Sequence, residues 1–441
     1  MSIPASSATT TAAERARHIR NQLPAGGLFS GHEWRLSPDP LPLGDELTDE
    51  LEKLGRILLQ FYRAANLLYR QSVAGKQPEW IASWLDLGKP QWLVELQRHA
   101  AWKNDLPRII RPDVLLTENG FTITELDSVP GGIGLTAWLN ENYSGDIIGG
   151  SNGMTEGFAG IFGSASRVHV VVSEESATYR PEMEWLMQRL GSSRFQVQKT
   201  DFTGFADGDA VYRFFELFDT ANVPCATRLF EMGMAKRIFL TSPPKPFFEE
   251  KMLFALLWNR NLRDFWRQEL GEGFFNRLTR FVPYTWVMDP SPFPPHAAIP
   301  ELNLTDWRQL KQLSQRDREL IIKVSGFSEL AWGSRGVHLG SDQSAEEWSQ
   351  TVESALASFE RSPHVLQRFH KSRLVKHSWF DFSADRIQTM EGRARLCPYY
   401  FVSGDGDTAR AKLGGVLATI CPADKKIIHG MKDAILAPCV R

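Results

Sequence analysis

The stretch that most constrains this chain runs from Arg111 to Gly132, Arg-Pro-Asp-Val-Leu-Leu-Thr-Glu-Asn-Gly-Phe-Thr-Ile-Thr-Glu-Leu-Asp-Ser-Val-Pro-Gly-Gly. Val114 to Thr117 and Phe121 to Leu126 are rich in apolar and β-branched residues, and Glu-Asn-Gly lies between them, which predicts a β-hairpin. Loop length decides which charges meet. A two-residue Asn119-Gly120 turn pairs Asp113 with Leu126 and sends Asp113 and Glu125 to opposite faces. A three-residue loop, Glu118-Asn119-Gly120 with Gly120 in the left-handed bulge position, pairs Asp113 with Glu125 and Arg111 with Asp127. The second register is the expectation, and it gathers Asp113, Glu125 and Asp127 at the open end of the hairpin beside Arg111. Like charges opposed on a sheet are unfavourable, so such a group favours a bound cation. Carboxylate oxygens that leave room for phosphates and waters suit Mg2+ better than Zn2+, and no His or Cys is interleaved here. The plain alternative is a surface hairpin end neutralised by Arg111. Ser128-Val-Pro-Gly-Gly132 follows directly, a turn on which backbone and ligand can approach closely.

A chain of 441 residues can build two or three lobes around a large core. Its formal charge of −2 and 42% hydrophobic content imply no polyanion partner, so nucleic acid is not expected. Cys225, Cys397, Cys421 and Cys439 are far apart and form no Cys-x-x-Cys pair, which predicts buried thiols rather than a zinc site. No window approaches eighteen unbroken apolar residues, and the first fifteen read as a disordered start rather than a secretory signal. A cytoplasmic protein without a membrane span is the expectation.

Four segments follow from the pattern. Residues 1–104 hold that start and a helical lobe, with Leu47, Leu51, Leu54, Leu58, Phe61 and Leu68 at helical spacing. Residues 105–166 hold the hairpin, then a helix from Leu135 to Tyr143 whose amino end suits an anion, then a Gly- and Ser-rich loop from 144 to 166. Residues 167–245 alternate strand and helix, as a parallel α/β lobe does. Residues 246–441 carry two lysines in informative settings. Lys251 precedes an apolar helix ending Leu-Leu-Trp258, and Lys323 ends the buried strand Glu319 to Lys323 ahead of a glycine-rich loop suited to phosphate. Ser344 to Phe359 is an amphipathic helix, Val365 to Phe369 a strand, and Arg393 and Arg395 alternate on one face of a further strand. No Gly-x-Gly-x-x-Gly follows the strand ending at Val172, and no Walker-type P-loop occurs.

Arg-x-Asp, with Glu-x-Asp beginning twelve positions after that Asp and a small-residue turn behind it, resembles glutathionylspermidine synthase and the circularly permuted ATP-grasp ligases. The resemblance implies an α/β fold, with a metal-binding hairpin preceding the nucleotide-binding strands, and it covers roughly residues 105–441. It implies Mg2+ on Asp113, Glu125 and Asp127, and ATP held by Lys251, Lys323, Gly333, Ser334, Arg335 and Gly336, with Gln367 and Phe369 near the adenine. Arg111 and Arg395, with Arg393 second, would serve the transferring phosphoryl group. The implied activity is an ATP-dependent carboxylate-amine ligase forming an amide through an acyl phosphate, acting on small molecules such as a peptide or polyamine. A phosphotransferase or a non-catalytic nucleotide-binding member on the same scaffold stays open. The amidase domain of some relatives is not expected.

Overall fold

The apolar repeat from Leu47 forms one helix, Asp45–Val73, with Leu51, Leu54, Leu58, Phe61 and Leu68 buried along its inner stripe. The computed structural model describes every residue except 1–10, 32, 192, 295–296, 332, 334 and 429–431. Helices Glu79–Asp86 and Gln91–Arg98, each capped by a proline, complete the helical lobe. Helix Ala12–Asn21 begins inside the stretch expected to be disordered. Thr11 and Glu14 satisfy each other's backbone amides in a capping box, and Ala16 and Ile19 are buried. The rest of that stretch, residues 1–10, lies outside the described residues.

The largest sheet joins the hairpin to the distant end of the chain. Its order is Arg35–Leu36, Ile435–Val440, Arg410–Pro422, Arg386–Ser403, Ile109–Thr117, Gly120–Asp127, with Leu374–Asp381 pairing on Arg386–Ser403 and Leu41–Pro42 on Ile435–Val440. The long strand Arg386–Ser403 therefore lies against the first hairpin strand, Arg395 opposite Leu115. A second sheet, Phe195–Gln198, Val168–Val172, Ala210–Phe214 and Phe239–Thr241, is parallel throughout, with helix Arg180–Leu190 crossing over from Val168–Val172 to Phe195–Gln198. The third is antiparallel, ordered Val337–Leu339, Leu320–Val324, His364–Arg368, Thr285–Val287. Helix Ala345–Ala357 covers it, with Trp348 and Val352 in one core with Ile322 and Leu366.

Residues 144–166 are not simply a loop. Helix Gly153–Gly160 buries Met154 and Phe158 against the large sheet. A Cβ on Gly153 would sit 2.4 Å from the Gly414 carbonyl oxygen, and one on Gly157 2.2 Å from the Phe401 ring. The glycines that read as loop signals are there so that helix and sheet can touch. Helix Arg263–Phe281 leads into the short edge strand Thr285–Val287 of the third sheet.

Candidate active site

The hairpin opposes the expected residues at its open end by a different route. Its loop is the two residues Glu118 and Asn119, with Thr117 paired to Gly120, which by itself would place Asp113 opposite Thr124. A bulge between Asp113 and Val114 absorbs Thr124 and restores the pairs Asp113 with Glu125 and Arg111 with Asp127. The extra residue has a use. Lys323 donates from Nζ to the Thr124 carbonyl at 3.2 Å.

Asp113, Glu125 and Asp127 line one cavity of about 270 Å³, together with Arg111, Lys251, Lys323, Gly333, Gln367, Phe369 and Arg395. Two sheets make its walls: the hairpin and Arg386–Ser403 on one side, Leu320–Val324 and His364–Arg368 on the other. Every acid is answered by a base. Arg111 Nη2 lies 3.3 Å from Asp113 and 3.1 Å from Asp127, Arg395 Nη1 3.2 Å from Asp113, and Lys251 Nζ 2.9 Å from Glu125. Among the described residues, no group of three or more His, Cys, Asp or Glu side chains is gathered tightly enough to hold a metal ion. The acidic trio shares a cavity, and in this arrangement arginine and lysine fill the space between its members.

Ser325 places Lys251, and Gln367 places Lys323. Lys251 caps the buried helix Met252–Trp258, its amide donates to the Ser325 carbonyl at 2.9 Å, and the Met252 amide donates to Ser325 Oγ at 3.0 Å. Ser325 Oγ donates to Glu250, which also forms a buried ion pair with Lys89 of the helical lobe. Lys323 stands two residues before Ser325, and its Nζ donates to Gln367 Oε1 at 2.9 Å while Gln367 Nε2 donates to Thr285 at 3.1 Å. Gln367 thus positions the lysine. Burial pulls Lys323 down to about 8, with Lys251 adding to the effect. Burial also acts against Lys251, but Glu125, with Glu250 and Glu216 behind it, outweighs burial and holds that lysine above its usual range.

The glycine turn is closed by aromatic side chains. Tyr399 donates to the Gly131 carbonyl at 2.7 Å, and a Cβ on Gly131 would lie 2.1 Å from the Tyr179 ring. Gly132, at φ 86°, caps helix Ile133–Asn142. The anion at that helix start is the chain's own: buried Glu182 accepts from the Gly132 amide at 2.7 Å and the Leu135 amide at 2.8 Å. Cys397 Sγ donates to Asp113 at 3.5 Å, its thiol pushed up to about 11 by burial. Burial lifts Asp127 above the usual carboxylate range, against Arg111 and the Val129 amide.

Other expected residues lie elsewhere. Arg393 donates to the carbonyls of Ala423, at 3.0 Å, and Ser372, and lines a neighbouring cavity rather than this one. Arg335 pairs with Glu175 at 2.8 Å on the surface, and Gly336 closes its loop by donating to the Leu330 carbonyl at 2.8 Å. Ser334 lies outside the described residues. The Phe369 amide is used by the Glu319 carbonyl at 3.0 Å. Tyr179, His370 and Lys426 line the cavity without having been singled out. Cys397 and Tyr399 were legible as candidates, since they continue the alternation of Arg393 and Arg395 on one strand face.

No family model matches the chain, and no curated protein matches it in sequence. Among solved structures it resembles a glutathione synthetase-like effector from Globodera pallida, in the apo form, with a TM-score of 0.55 over 97% of this chain and 95% of that one, at 11% identity. The fold is of the ATP-grasp type. A protein named as a gamma-glutamylcysteine synthetase from Methylobacillus flagellatus aligns over 81% of this chain and 86% of that one, with a TM-score of 0.39 and 12% identity, too low to bear on the fold. Among the described residues no helix is long and apolar enough to cross a membrane.

Proposed function

We propose that the protein is an ATP-dependent carboxylate-amine ligase, of the glutathionylspermidine synthase-like kind, forming an amide or peptide bond through an acyl phosphate. One arrangement supports the reading: two buried lysines, two arginines and three carboxylates around a single cavity in an ATP-grasp fold. The donors suit a triphosphate and its cation. Arg111 Nε and Arg395 Nε are buried without a hydrogen-bond partner among the described residues, as donors awaiting an anion are. Asp113, Glu125 and Asp127 would hold magnesium once Lys251, Arg111 and Arg395 turn toward phosphate and substrate; the ion supplies charge neutralisation along the phosphates.

Each residue then has a part. Lys251 and Lys323 bind nucleotide phosphate, with Gln367 and the Thr124 carbonyl holding Lys323 in place. Arg111 and Arg395 orient the substrate carboxylate and stabilise charge as its oxygen takes the γ-phosphoryl group. ADP is the leaving group of that transfer; the amine, in its neutral form, then attacks the acyl phosphate carbonyl, the C–O bond to phosphate breaks, and the proton shed by the nitrogen as the amide forms leaves with phosphate. No protein nucleophile is needed, and Cys397, protonated beside Asp113, is a donor rather than an attacking group.

A screen of ADP release over paired carboxylates and amines, with mass detection of products, tests the reading. A ligase forms ADP in quantity only with both partners and yields their condensation product. A stable phosphorylated product with one partner identifies a phosphotransferase, and ATP binding without turnover over the whole panel identifies a non-catalytic member.

A further inference from the structure

Beside the cleft lies a smaller pocket of about 40 Å³, room for one small head group. It shares Glu125, Asp127 and Lys251 with the cleft, so the two are neighbours across the second hairpin strand. Its far wall belongs to the α/β lobe and to the segment before Lys251: Glu216 and Glu249 line it, and Glu216, held well above the usual carboxylate range by burial and by the neighbouring Glu249, donates its proton to that carboxylate. Arg213 donates to Glu249 from behind, and the Leu217 amide adds a second donor at 3.2 Å, which fixes that carboxylate. Ser128 is the decisive residue. It lines the same pocket, is 1% exposed, and its Oγ has no hydrogen-bond partner among the described residues. A buried hydroxyl without a partner is costly, and its residue borders a space lined by the carboxyl groups of Glu125, Asp127, Glu216 and Glu249, with Lys251 held against Glu125.

We propose that this pocket receives the ammonium head of the amine substrate, with Ser128 Oγ, Glu216 and Glu249 as its acceptors. A primary ammonium carries three N–H donors and no acceptor, which matches a hydroxyl and two carboxyl groups and excludes an anionic or neutral acceptor-rich head. Alkyl ammonium is the form in which such amines arrive at neutral pH. The adjoining cleft would supply the activated carboxylate, and an attacking nitrogen bound here would first pass one proton to the Glu249 carboxylate, so the assignment of this group to a substrate rests on the ligase reading, whereas the chemistry of the pocket does not.

Ethylammonium chloride is the probe, compared with ethanol and with sodium chloride at equal ionic strength, on the full chain and by calorimetry. Ethylammonium is expected to bind while ethanol and sodium do not. Ser128→Ala and Ser128→Val, the second of which narrows the pocket without touching charge, should each raise its dissociation constant about tenfold or more, the scale of a lost charge-assisted hydrogen bond. ATP affinity should stay at the parent value in Ser128→Ala. Equal binding of ethylammonium and sodium, or unchanged binding in both Ser128 variants, overturns the pocket. Binding lost in Ser128→Val by a protein that forms no ADP with any substrate pair keeps the pocket and removes the ligase reading. Steady turnover whose half-saturating amine concentration is unmoved by Ser128→Val does the opposite.

Discussion

Two cavities invite comparison. The larger, about 620 Å³, lies where the helical lobe, the α/β lobe and the end of strand Arg386–Ser403 meet; the smaller, about 270 Å³, holds the acidic hairpin. Both are lined by basic side chains. In the larger one Arg63, Arg70 and Arg108 donate to the carbonyls of Gly406, Lys103 and Gly404, and Lys236 pairs with Asp105 while half exposed. Those cations fasten chain segments to one another. In the smaller one Lys251, Arg111 and Arg395 face carboxylates across a confined space, and two guanidinium Nε atoms have no partner among the described residues. Volume does not set the smaller cavity apart. What sets it apart is buried charge paired with charge across the space, and on the proposed reading those partners are exchanged for a ligand's.

The sharpest break comes at the hairpin. Glu125→Gln removes a carboxylate charge from the cleft and the partner of Lys251, and turnover should fall ~10²-fold or more, the scale of a lost preorganised electrostatic contact. Turnover within about threefold of the parent would mean that the acids only neutralise bases. Arg393 tests the same contrast inside one strand, since it holds carbonyls as the larger cavity's arginines do. Arg393→Ala strands one buried and one half-buried acceptor and should lower stability by about 1–3 kcal/mol in denaturant unfolding, with turnover per folded molecule kept. The matching Arg395→Ala should lose turnover instead.

A smaller effect separates the two lysines. Lys323, pulled down to about 8, is charged below that pH and neutral above it, so its attraction for phosphate is present at pH 7 and lost as pH rises through about 8. Half-saturating ATP should therefore rise up to about tenfold between pH 8 and 9, and Lys323→Arg should flatten the profile. A flat parent profile would assign the phosphate to Lys251 alone, which Glu125 keeps charged. Least affected is the larger cavity: Lys236→Ala and Arg63→Ala should leave turnover within about twofold, as surface-pair changes do.

The elements that line the cleft were legible in the sequence wherever each is local. The hairpin, the strand ending near Lys323, the helix behind Lys251 and the period-two pair Arg393 and Arg395 all follow from patterns a few residues long. What the pattern hid is what distance supplies. The expected register came out right, although the bulge at Thr124 and not the loop length sets it, because a bulge leaves no strong mark in a run of Thr and Ile. Gln367 is tied to Lys323, and Glu182 fills the helix start that had looked open to a ligand, both through contacts between separate elements. The pairing of Arg386–Ser403 with Ile109–Thr117 spans most of the chain, and it alone decides that Arg395 reaches Asp113 while Arg393 does not. The loop-like glycines at 153 and 157 are packing sites for the same reason: their neighbours are Gly414 and Phe401.

The central claim is that the acidic hairpin and the two lysines serve one nucleotide. A crystal structure with Mg2+ and a non-hydrolysable ATP analogue tests it directly. The triphosphate should lie between Lys251 and Lys323 with the ion on Asp113, Glu125 and Asp127. An analogue seated in the larger cavity, or bound beyond reach of both lysines, would contradict it.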